Sequence, residues 1–119
     1  MSDLRPTGGK ITLGGKEYGL LFDNLVVDGI QDHFDISFFQ LNELLQNRKT
    51  LYKALHYITA LMINEYIDDR ETGEPHVTDQ WVGRKMNPSN TSEIEKAVAR
   101  TIRECLPVTG EDAPNAPSE

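Results

Sequence analysis

Ile11-Thr12-Leu13-Gly14-Gly15-Lys16-Glu17-Tyr18-Gly19-Leu20-Leu21-Phe22 decides the fold, because it spells a β-hairpin and then hands over to a chain with helical spacing nearly to its end. A two-residue hairpin turn needs positive φ at its centre, which glycine adopts without steric penalty. With Gly14-Gly15 as the loop, Leu13 faces Lys16, Thr12 faces Glu17 and Ile11 faces Tyr18. Side chains alternate across a strand, so Ile11, Leu13, Tyr18, Leu20 and Phe22 fall on one side. That shared parity supports the register.

Downstream, Leu25/Val26, Ile30 and Phe34 recur at helical intervals behind a capping Asp23 or Asn24, a short helix weakened by Gly29 and paired valines. Ser37-Phe38-Phe39-Gln40 has the form of a capping box, and Ile36 and Leu41 stand at the two positions of a hydrophobic staple. A helix through Leu41, Leu44 and Leu45 to about Gln46 follows. Asn47 or Thr50 then caps a long segment, Leu51 to Ile67, whose stripe Leu51, Leu55, Ile58, Met62 and Tyr66 is flanked by Tyr57 and Leu61 on one side and Tyr52, Ile63 and Ile67 on the other. Only Lys53, Asn64 and a few neighbours mark a wet side. A helix this apolar around its circumference is buried on most sides. Two readings stay open: it is the central core helix, or part of it meets a second chain.

Asp68 to His76 reads as a polar linker, Thr78 caps a short helix to about Met86 with a Val77/Val82 staple, and Asn87-Pro88-Ser89-Asn90 is a turn. The last helix places Ile94, Ala97/Val98, Ile102 and Cys105 on one face and Glu93, Lys96, Arg100 and Arg103 on the other. Pro107 stops it. The expected class is α+β, mainly α: an N-terminal hairpin followed by about five helices. The expected organisation is a flexible arm over 1–9, one domain over 10–106 and a disordered acidic tail over 107–119.

At 119 residues the chain suits a single domain, one that buries roughly two thirds of its unfolded surface. Nineteen acidic against twelve basic side chains leave a net charge of −7. That balance argues against nucleic acid and anionic membranes, whose binding is driven by neutralising phosphates. Charge is uneven, with five basic and four acidic groups over 78–106 and three acids without a base over 107–119. The lone Cys105 makes no internal disulfide and reads as a packing thiol. The N-terminal residues lack the apolar core of a signal peptide, and no apolar run reaches membrane-spanning length. A reducing cytoplasm is the expected location.

No constellation announces a reaction. His33, His56 and His76 lie far apart, and His33-x-Asp35 is the nearest approach to a ligand pair, so no metal site is expected. Asp68 and Gly73 match the first and sixth positions of a calcium loop, but Arg70 occupies the third, where an oxygen ligand is required. Gly14-Gly15-Lys16 is followed by a strand, not by the helix N-terminus a phosphate loop needs. Leu106-Pro107-Val108-Thr109-Gly110 matches the LPxTG signal of cell-wall transpeptidases but lacks the apolar segment and basic tail that signal requires. Helices around Asn87-Pro88, with Arg84, Lys85, Arg100 and Arg103, suggest helix-turn-helix. A local charge of only +1 favours an ordinary packed pair. Neither an enzyme nor a cofactor is expected.

The hairpin pattern Gly14-Gly15-Lys16-Glu17-Tyr18-x-Leu20-x-Phe22, a short helix, the helical run from Ser37, a polar gap and two small closing helices resemble the tail assembly chaperones of long-tailed bacteriophages, particularly those of Gram-positive hosts. The resemblance covers roughly residues 10–106. It implies a mainly helical protein of the host cytoplasm that binds the tape measure protein, keeps it soluble during tail morphogenesis and is missing from the mature virion. Family members often form oligomers, and some are also made as a longer frameshifted product; both are expectations here too. Tyr52, Ile63, Tyr66 and Ile67 of the long helix, together with Trp81, are the candidate interface residues. Trp81 as a core plug is the other reading. Outside the family, a structural virion component, such as a tail-completion or connector protein, and a small regulatory adaptor are the alternatives.

Overall fold

Chain order and local chemistry build the fold from the hairpin outward in a computed structural model that describes residues 9–105. Strands β1 (Lys10–Leu13) and β2 (Lys16–Gly19) pair antiparallel with Ile11 opposite Tyr18, Thr12 opposite Glu17 and Leu13 opposite Lys16, the register expected. Gly14 and Gly15 have φ of 61° and 81°, as a turn with two left-handed residues demands. Ile11, Leu13, Leu20 and Phe22 are buried, but so is Leu21, against the alternation. The strand has ended at Gly19, and the Leu21 N–H bonds to the Met62 carbonyl at 3.2 Å, so three consecutive residues enter the core.

Among the described residues five α-helices follow: α1 (Asn24–Phe34), α2 (Leu41–Gln46), α3 (Arg48–Arg70), α4 (Asp79–Lys85) and α5 (Thr91–Cys105). Asp23 caps α1 by accepting from the Leu25 and Val26 amides. Gly29 makes room where α1 crosses α3, since a Cβ there would lie 3.0 Å from Leu61. The Gln40 side chain reaches back to the Ser37 N–H at 2.8 Å, but the segment opens as a 3-10 turn, Phe38–Gln40, before α2 begins. Gln31 of α1 accepts the Phe38 N–H at 2.7 Å, tying this turn to the preceding helix.

Asn47 caps α3, which extends to Arg70, three residues beyond the expected end; Glu71 closes it in the left-handed conformation at φ 52°. The surplus apolar circumference of α3 is covered from within: α1, α2, α4 and β2 all pack on it. Asn64, read as part of a wet face, instead clamps the linker, bonding the Val77 carbonyl at 2.9 Å and the Val77 N–H at 2.8 Å. Thr78 caps α4, and Asn87 and Asn90 organise the turn into α5.

α5 buries Ile94, Val98, Thr101 and Ile102. Thr101 Oγ1 accepts the Gly9 N–H at 2.8 Å and donates to the Ala97 carbonyl at 2.8 Å, locking the start of the hairpin to the last helix. Gly9, assigned to the arm, is instead buried and belongs with the domain. The remainder of that arm, the tail over 107–119, the Leu106–Gly110 match and the Cys105 side chain lie outside the described residues. Among the described residues, no helix is long and apolar enough to cross a membrane.

Candidate interaction surface

The five side chains proposed for an interface take three different places. Ile63 is 1% and Ile67 5% exposed, so both belong to the core and not to a surface. The reason is geometric: β2 packs on α3 along this side, a partner invisible to helical periodicity. Tyr66 is half-buried, its ring against Gly19, where a Cβ would fall 2.5 Å from the ring, and under the Arg70 guanidinium at 5.2 Å. Trp81 is half-buried and meets Tyr18 edge-on at 5.6 Å. Both aromatics are thus used in holding β2, which supports the core-plug reading of Trp81. Tyr52 alone is exposed, at 46%.

The largest apolar exposure lies elsewhere. Phe39 is 92% exposed at the middle of the 3-10 turn. Its neighbour Phe38 turns inward, tilted against Phe22 at 5.8 Å between ring centres. Adjacent residues of a 3-10 turn point about 120° apart, so with Phe38 turned inward Phe39 is directed away from that contact. Phe39 therefore stands over a groove of about 410 Å³ between α2 and the end of α5. Phe38, Leu41 and Leu45 form one wall, Ala99 and Ile102 the other, and Asn42 and Arg103 supply polar rims. Burial of a phenylalanine side chain contributes roughly 1.5–3 kcal/mol, and this one is left unspent by the isolated fold. The signal was present in the adjacent pair Phe38-Phe39 beside a cap, which the capping pattern alone did not use.

The polar groups converge less. His33 stacks on Tyr57 at 3.7 Å and lines one cleft together with His56, which packs against Gly83 and whose pKa is lowered by burial, while His76 bonds Asp68 at 2.7 Å. Among the described residues no group of three or more His, Cys, Asp or Glu side chains could hold a metal ion. The strongest electrostatic perturbation is at Glu65 on α3, pushed up to about 7 by partial burial, by sharing a hydrogen bond with the α1 cap Asp23, and by the charges of Asp23, Asp68 and Asp69. No protein-family model, curated protein or solved structure matches this chain.

Proposed function

We propose that this protein is a phage tail assembly chaperone: it binds the tape measure protein in the host cytoplasm, keeps it soluble during tail morphogenesis and leaves before the virion is complete. The observation that carries this reading is the groove beneath Phe39, an apolar, polar-rimmed trough of about 410 Å³ of the kind on which the apolar face of a client helix lies. A net charge of −7 supports it, because like-charged complexes resist aggregation while a greasy client is held. The role is binding without catalysis. Phe39 and its groove replace Ile63, Ile67, Tyr66 and Trp81 as the client-facing residues, and Tyr52 stays available at the exposed end of α3.

The test is co-expression with a candidate tape measure protein. The client stays in the soluble fraction and co-purifies with the wild-type chain, whereas Phe39→Asp leaves it insoluble although the variant keeps its own helical signal and melting temperature. A client equally soluble with the variant, or without any partner, overturns the reading. Mass spectrometry of purified particles supplies the second check, since a chaperone is missing from them and a structural component is not.

A further inference from the structure

A second cleft, of about 590 Å³, runs between β1 and α5. The Leu20 N–H bonds to the Gly9 carbonyl, which makes Gly9/Leu20, Ile11/Tyr18 and Leu13/Lys16 the pairs that exchange hydrogen bonds. The N–H and C=O groups of Lys10 and Thr12 therefore point away from β2, and they have no partner among the described residues. β1 packs beside α5 and β2 beside α3, so this free edge opens into the cleft. An uncovered edge strand is a template for unwanted pairing, and proteins cover such edges or charge them.

The lining is cationic in a chain that is otherwise anionic. Four cations, Lys10, Lys96, Arg100 and Arg103, line it against two carboxylates, Glu17 and Glu93. Lys10 and Arg100 make long, exposed pairs of 3.9 and 4.0 Å with Glu17 and Glu104, while Lys96 and Arg103 have no ion pair among the described residues. Residues 106–119 are the complement: three acids, no base, and a proline-free run, Val108-Thr109-Gly110-Glu111-Asp112-Ala113, between Pro107 and Pro114. They leave α5 four residues past Thr101, whose hydroxyl holds Gly9 at the start of β1. Four residues of helix rise only about 6 Å, so the segment is tethered beside the cleft at an effective concentration on the order of millimolar.

We propose that residues 106–119 dock in this cleft, the run 108–113 adding its backbone to the free edge of β1 while Glu111 and Asp112 meet the Lys96, Arg100 and Arg103 cations. The chain thereby covers its own strand edge. The inference stands apart from the chaperone reading, since it concerns a different cleft and needs no client.

Amide hydrogen exchange followed by NMR on the full chain tests it, with Lys10 and Thr12 as reporters. The wild-type chain protects both amides at least tenfold more than two variants: Thr109→Pro, which removes a donor from the run, and the triple variant Glu111→Gln, Asp112→Asn, Glu119→Gln, which removes the charge. Protection in the wild type also falls at 0.5 M salt and is the same at tenfold different protein concentrations. Equal exchange in all three chains overturns the proposal. Protection that rises with protein concentration overturns it too, by assigning the edge to a second copy. All the substitutions lie outside residues 9–105, and an unchanged melting temperature shows that the fold is kept.

Discussion

Trp81 and Phe39 are both large aromatics beside a helix cap, and the fold treats them oppositely. Trp81 follows the Thr78 cap and lands edge-on against Tyr18, beside the hairpin turn. Phe39 follows Ser37 and lands in solvent above an apolar groove. The difference is what faces each residue: β2 reaches α4's side of the molecule, whereas nothing in residues 9–105 crosses the gap between α2 and the end of α5. An aromatic side chain thus serves stability at one place and remains available for a partner at the other.

The contrast breaks most directly at Trp81. Trp81→Ala removes a half-buried ring that props β2, and is expected to lower stability by about 2–3 kcal/mol, read from the shift in urea midpoint; a change below 0.5 kcal/mol would make Trp81 a surface residue after all. Thr59 extends the contrast to polar groups. Its hydroxyl is fully buried without a hydrogen bond among the described residues, so Thr59→Val, of matching shape, should raise stability by about 1 kcal/mol. Loss of stability there would reveal a hidden partner.

Glu65 sharpens the comparison through pH. Its carboxyl is pushed up to about 7 from 4.5, so between those values the folded chain holds a proton that the unfolded chain has released. Stability from this group is full below about pH 4.5 and falls as pH rises to 7. Glu65 is only partly buried, and solvent screening keeps the effect below that of the two core changes. Denaturation at pH 5 and pH 8 should show a smaller loss of stability in Glu65→Gln than in the wild-type chain; identical losses would remove the Asp23 pair as the cause. The smallest effect on folding belongs to Phe39→Ala, expected within about 0.5 kcal/mol of wild type. If it costs 2 kcal/mol, Phe39 is a packing residue and the groove is not vacant.

Much of this molecule was legible before any coordinates. Gly14-Gly15 and the parity of Ile11, Leu13 and Tyr18 specified the hairpin and its register, because turn chemistry and strand alternation are local. Asp23, Asn47 and Thr78 marked helix starts for the same reason: each cap bonds amides two or three residues away. Where the readings failed, the missing information was distant in sequence. Ile63 and Ile67 seemed spare until β2 covered them, and Asn64 seemed solvated until Val77 returned to it.

Local sequence therefore determined which segments are strands and helices and where they begin, since those choices are made by bonds within a few residues. Only the tertiary structure decided which apolar side chains are left over. Exposure depends on what packs across from a residue, and helical periodicity describes one surface of that contact without its partner. Phe39 and Trp81 could exchange roles with no change in their own turns; the neighbours that β2 and α5 bring, or fail to bring, are what separate them.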